Sequence, residues 1–102
     1  MAAYLLTFRL AHTGDFDRAE EFAYRLRVGD WWGETGSTMI VNTDEAIDDF
    51  CARALSPPWF DERIDICAVF NLDTGEARAK GHFRDPNLFV AAPMVINISD
   101  DY

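Results

Sequence analysis

Hydrophobic spacing changes along this chain in a set order, and that order limits the folds open to it. Tyr4, Leu6, Phe8 and Leu10 alternate with Ala3, Leu5, Thr7 and Arg9, the period of two that a strand with one buried face requires. Phe16, Ala19, Phe22, Ala23 and Leu26 then recur at helical spacing. His12-Thr13-Gly14-Asp15 before them supplies a turn and an N-cap, because the Asp15 carboxylate can accept from free amides of the first helical turn. Gly29 marks the helix end. Two short apolar segments follow, Val28 to Trp32 and Thr38 to Thr43. Gly33-Glu34-Thr35-Gly36 joins them, and glycine at both ends of so short a connection fits a hairpin.

Thr43 reads as the cap of a second helix, with Asp44 and Glu45 in its first turn, where the helix dipole favours negative charge. Ile47, Phe50, Cys51, Ala54 and Leu55 form its buried stripe, and Ser56-Pro57-Pro58 stops it. Ile64, Ile66, Ala68 and Phe70 predict a further strand with those residues facing the core. After a turn at Asn71-Leu72-Asp73-Thr74-Gly75, Ala77, Ala79, Gly81 and Phe83 alternate with Glu76, Arg78, Lys80 and His82 as a returning hairpin strand.

The order is β-α-β-β-α-β with an extra strand and an apolar tail. It predicts an α+β protein of the ferredoxin-like split βαβ type, an antiparallel sheet with two helices on one face. Residues 1–84 would form that domain and residues 85–102 a C-terminal extension. Leu88 to Ile98 in the extension is apolar but interrupted by Pro93, so it fits an edge strand, a tail docked on the body, or a strand lent to a partner. Leu5, Thr7, Ile40, Cys67 and Val69 would point away from the helices, an apolar enough face to expect a homodimer. In such a sheet the end of the first strand lies opposite the start of the last core strand. Arg9 and Asp65 are therefore expected to serve a structural role, through an Arg9–Asp65 or Arg9–Glu62 contact across the strands.

Charge narrows the function. Eighteen acidic residues face nine basic ones in 102, a formal net charge of −9. That argues against direct binding to a phosphate backbone and for a basic protein partner. Acids at helix starts are explained by capping and solubility, yet both helices would share one face and merge their charge into one acidic surface. Trp31 and Trp32 are adjacent and point to opposite sides of a strand, so one fits the core and the other the surface. An exposed Trp31 beside Asp30 and Glu34, or Trp59 beside Asp61 and Glu62, would make a protein-binding anchor; tucked under loops, both are core edges. The candidate partner-binding residues are thus Asp15, Asp17, Glu20, Glu21, Trp31, Asp44, Glu45, Asp48, Trp59, Asp61 and Glu62. Arg78, Lys80 and Arg84, with His82, form a single basic stripe expected on the outside of a charge-protected edge strand.

His12 and His82 lack a nucleophile and an orienting group, and the carboxylates show no convergent metal-ligand spacing, so neither a catalytic residue nor a metal or other cofactor is expected. Cys51 and Cys67 form neither a CxxC pair nor a zinc-ligand pattern and read as small buried hydrophobes of a reduced compartment. MAAYLLTFRL has no basic leader and carries Arg9 within its apolar stretch, which fits a cytoplasmic protein, not a secreted or membrane one.

Tyr4-Leu5-Leu6-Thr7-Phe8-Arg9-Leu10, the helix after it, Trp32 and Ser37-Thr38-Met39-Ile40-Val41-Asn42-Thr43 resemble the small endonuclease family of CRISPR spacer acquisition and its relatives outside CRISPR. The resemblance spans about residues 3–83, mostly as element order. It implies a split βαβ core followed by an additional strand, a dimer formed by packing sheets together with a C-terminal strand crossing over, and metal-dependent nuclease activity. It also implies a metal-binding aspartate near the end of the first strand, in a tyrosine-aspartate-aliphatic setting. This chain instead has Phe8-Arg9-Leu10, and the fixed cation of Arg9 repels a divalent metal. The expected function is a non-enzymatic acidic interaction protein, an anti-CRISPR-like or DNA-mimic-like inhibitor of a basic nucleic-acid-handling partner. A degenerate metal-dependent nuclease and an antitoxin-like or dimerisation module are the alternatives.

Overall fold

A computed structural model describes residues 1–11, 16–27 and 29–100, apart from the side chains of Phe16 and Asp17. The proposed His12–Asp15 turn, with its Asp15 cap, and the Asp17 side chain lie outside the described residues. The elements are β1 (Ala2–Arg9), α1 (Phe16–Leu26), β2 (Asp30–Trp32), β3 (Thr38–Thr43), α2 (Ile47–Ala54), β4 (Ile66–Asn71), β5 (Ala77–Gly81), α3 (Asn87–Ala91) and β6 (Val95–Asn97). The strands form one sheet in the order β2-β3-β1-β4-β5-β6, antiparallel except for the parallel β5–β6 pair. This α+β architecture is compatible with the ferredoxin-like class; the edge strand that the tail allowed is β6, while its parallel pairing and helix α3 go beyond the expectation.

Helices α1 and α2 cover one face. Phe22 and Leu26 of α1 and Ile47, Phe50, Cys51 and Ala54 of α2 pack on Tyr4, Leu6, Met39, Val41, Cys67 and Val69. The Tyr4 ring stacks on Phe50 at 5.1 Å and its hydroxyl donates to the Glu45 carbonyl at 2.6 Å. Phe22 sits between Phe8 at 5.1 Å and Phe60 at 5.8 Å. The inward stripe of α1 reads Arg18, Phe22, Leu26, spaced four apart, while Ala19 is exposed. The second helix starts later than its acids suggested. Thr43 is the last residue of β3, and its hydroxyl accepts from the Glu45 amide at 3.3 Å instead of capping a helix. Ala46 precedes α2, whose first-turn acids are Asp48 and Asp49.

The sheet corrects the expected facing of β4. Arg9 pairs with Ile66, Thr7 with Ala68 and Leu5 with Phe70, so Ile66, Ala68 and Phe70 face away from the helices while Cys67 and Val69 face them. The segment from Ile66 to Phe70 is apolar on both sides, so alternation alone carries no information about which side is inside. The same parity carries Arg78 and Lys80 of β5 to the helix side. Arg78, with a side chain only 13% exposed, donates to Asp48 at 2.9 Å, and the Lys80 ammonium donates to the Leu55 carbonyl at 2.9 Å. The basic stripe therefore does not line an exposed edge, and β6 pairs along β5 where an edge was expected.

Arg9 and Asp65 lie on opposite sides of the sheet and do not meet. Arg9 is exposed on the far face. Asp65 is 0% exposed and belongs to the helix side, where both its oxygens accept from the Arg18 guanidinium. It also accepts from the Ala11 amide at 2.7 Å and the Asp61 amide at 2.8 Å, while its carbonyl takes the His82 amide at 3.0 Å. Glu62, the other proposed partner of Arg9, accepts from the Asp100 amide at 2.6 Å. Gly81 completes this corner at φ 139°, where an added Cβ would lie 2.1 Å from the Asp65 carbonyl oxygen.

The tail combines two of the paths open to it: β6 is an edge strand beside β5, and the segment before it docks on the body. Phe83, Leu88, Phe89 and Ala92 pack with Ala68, Ala77, Ala79 and Val95 on the far face, and Phe83 meets Phe89 edge-on at 5.6 Å. A carboxylate buried with this many donors is the costliest polar group to remove. Asp65→Ala is expected to lower unfolding stability by about 3–5 kcal/mol, since it strands a buried guanidinium. Arg9→Ala should stay within about 0.5 kcal/mol in the same urea titration; comparable losses for both would contradict this placement.

Candidate functional site

The two faces differ in charge because of how the cations are used. Arg18, Arg53, Arg63 and Arg78 each pair with a carboxylate. Lys80 is held on a carbonyl, Arg27 lies 4.5 Å over the Trp31 ring, and Arg25 is half-buried with its Nη1 lacking a hydrogen-bond partner. Arg9 and Arg84 are exposed and make no hydrogen bond, ion pair or ring contact among the described residues.

Several of the expected partner-binding acids are already committed internally. Glu45 takes the Arg53 guanidinium through both oxygens, at 2.8 and 2.9 Å, and this contact holds its carboxyl below the ordinary glutamate value. Arg53 thus pairs with Glu45, and Asp49 is left exposed without a cation. Asp48 pairs with Arg78, Asp61 takes the Arg63 guanidinium at 2.9 and 3.0 Å, and that contact lowers the Asp61 pKa. Glu20, Glu21 and Asp44 remain exposed, Asp44 with the N-terminal ammonium at 3.9 Å. Tyr24, on the same helix as Glu20 and Glu21, is 71% exposed and was not singled out from the sequence.

The tryptophans divide differently from expectation. Trp31 and Trp32 are 46% and 44% exposed, because β2 is a three-residue edge strand with β3 as its one sheet neighbour. They do point to opposite sides, opposite Val41 and Ile40 respectively, and the Trp32 indole donates to Glu34 at 3.1 Å. Trp59 is half-buried against the core, and its carbonyl lies 3.4 Å from the Arg18 guanidinium. Burial raises the Cys51 thiol to about 12 and the Cys67 thiol well above its ordinary value, so both stay protonated and inert at neutral pH.

On the far face a groove of about 580 Å³ opens between β1 and the α3 segment. Ile66, Ala68 and Phe70 form its floor, Thr7 and Arg9 one wall, and Phe83, Arg84 and Leu88 contribute to the other. Arg9 and Arg84 therefore share one cavity. The sequence offered no sign of it, since the groove needs the corrected facing of β4 and a helix at Asn87–Ala91.

Among the described residues, no group of three or more His, Cys, Asp or Glu side chains is placed to hold a metal ion, and no helix is long and apolar enough to cross a membrane. Comparison with known proteins returns no match: no family model, curated protein or solved structure is significantly similar to the chain.

The Glu45–Arg53 pair gives stability a defined acid dependence. The folded carboxyl titrates below its ordinary value of 4.5, so the pair's contribution is complete above that value and is lost as pH falls through the lower folded one. With side chains 27% and 34% exposed, the contribution is under about 1 kcal/mol. Glu45→Gln should lower stability by that amount at neutral pH and by progressively less as the solution is acidified, as followed by urea denaturation across the acid range.

Proposed function

We infer that this chain is a non-enzymatic interaction protein that docks its two-helix side on a basic surface of a partner protein. The observation that carries the reading is the distribution of charge after internal pairing. Glu20, Glu21 and Asp49 stand exposed without a cation on the helices, and Tyr24 is exposed on the helix that carries the first two. The exposed arginines Arg9 and Arg84 lie on the opposite face, while the half-buried Arg25 is an unpaired cation on the helix side. Clustered carboxylates on a rigid helical layer steer a cationic partner and set its orientation. A large exposed aromatic on the same layer supplies the desolvated contact that charge alone does not.

The first four strands fit the split βαβ arrangement, since β1 and β2 both run antiparallel to β3 and lie on either side of it. A partner among nucleic-acid-handling proteins is the more specific form of this reading, because a surface with spaced negative charges presents to such a protein what a phosphate backbone presents. In this form the chain is an inhibitor of the anti-CRISPR-like or DNA-mimic kind, working in the cytoplasm. Homodimerisation would use the half of the far face formed by Leu5, Ile40 and Trp32, which the tail does not reach. The kinship with the spacer-acquisition endonucleases remains a proposal on the element order.

Titration of the purified chain with polylysine tests the electrostatic core of the reading. Binding should weaken steeply with added salt, and the triple variant Glu20→Gln, Glu21→Gln, Asp49→Asn should bind about tenfold more weakly. Salt-insensitive binding, an unchanged triple variant, or cleavage of RNA or DNA in the presence of Mg²⁺ or Mn²⁺ would each overturn it.

A further inference from the structure

We propose that the far-face groove is a binding site for a small linear carboxylate, with its carboxylate between Arg9 and Arg84 and its apolar body along the floor. This site is independent of the acidic helix side and lies on the other face of the sheet.

The geometry gives the ligand a direction. Ile66 is flanked by Arg9 on β1 and by Gly81 on β5. Arg84 follows Gly81 by three residues and lines the same groove as Arg9, so both arginines belong to the chain segments that flank the Ile66 end. From Ile66 the floor runs through Ala68 to Phe70, about 13 Å at the rise of an extended strand. The small side chain of Ala68 in the middle makes this a trough, closed on the α3 side by Leu88 and Ala91. Phe83, braced edge-on by Phe89, completes the apolar wall.

Charge complementarity decides what such a trough would hold. In a chain of net charge −9, two exposed arginines that share a groove and form no ion pair among the described residues stand out. Asp85 follows Arg84 and also lines the groove; its Oδ1 accepts from the Asn87 amide at 2.9 Å and it forms no ion pair with either arginine, leaving one carboxylate against two guanidinium groups. An anion between the arginines would satisfy both with charge-assisted hydrogen bonds, which a neutral or cationic amphiphile could not do. The volume of about 580 Å³ lies within the range of small-molecule sites, and an apolar lining with few polar groups is their usual composition.

The test uses the ¹⁵N-labelled full chain, titrated separately with decanoate, decanol and decyltrimethylammonium at low salt. Decanoate should shift the amides of Thr7, Ile66, Ala68 and Leu88 saturably and bind at least tenfold more tightly than decanol, with decyltrimethylammonium weakest. The double variant Arg9→Gln, Arg84→Gln should lose about tenfold or more of the decanoate affinity. It should keep its decanol affinity and its spectrum elsewhere, which shows an intact fold. Polylysine binding by the helix side should persist in that variant, which separates this site from the helix-side reading. Equal affinity for decanoate and decanol, an unchanged double variant, shifts confined to the other face, or no saturable shift would overturn the proposal.

Discussion

The buried ion pair between Arg18 and Asp65 is the constraint on which the rest of the chain is arranged. Asp65 gathers α1 through Arg18, the end of the first strand through the Ala11 amide, and the loop before β4 through the Asp61 amide. Arg18 returns the connection by donating to the Ala11 carbonyl at 2.7 Å. A carboxylate wholly removed from water is tolerated only when its lone pairs are occupied, and here four donors occupy them. Because those donors come from three separate segments, the acid does more than neutralise a cation. It fixes the residue before β4 on the helix side and, through the pleat, fixes which side of the sheet every later residue of β4 and β5 faces.

That dependence explains what could and could not be read in advance. The presence and order of β1, α1, the β2–β3 hairpin, α2 and the β4–β5 hairpin were legible, because each carries a clear period or a glycine-rich turn. The facing of β4 was not, since Ile66 to Phe70 offers apolar residues to both sides and the deciding contact joins positions 47 apart. The misplaced Arg9–Asp65 contact, the supposed basic edge and the missed groove all follow from that one parity. The tail was ambiguous for a different reason. Its five-residue helix has no buried residue and too few turns to display a period.

Candidate site residues were legible as a composition and not as a geometry. Acids at positions 45, 48 and 61 looked equivalent to those at 20 and 21, yet the first three are engaged by arginines. Arg78 lies 30 positions from Asp48 and Arg53 eight from Glu45, so no spacing of three or four along a helix announces those two pairings. What distinguishes the two sets is the supply of cations by neighbouring elements. The visible charge of the surface is therefore what remains after the interior and its borders have drawn on it.

The strands at the two margins of the sheet, β2 and β6, are each three residues long. An exposed margin offers unpaired amides and carbonyls on which another chain can grow a strand, and its capacity to template falls with its length. One margin here begins with Asp30, whose charge opposes close stacking of identical chains. The other follows Pro93 and a single turn of chain, so it cannot be lengthened toward its start without losing α3. A sheet six strands wide thus ends on both sides in segments too short to seed fibrillar growth, and the longer, more apolar strands β1 and β4 are kept in its middle.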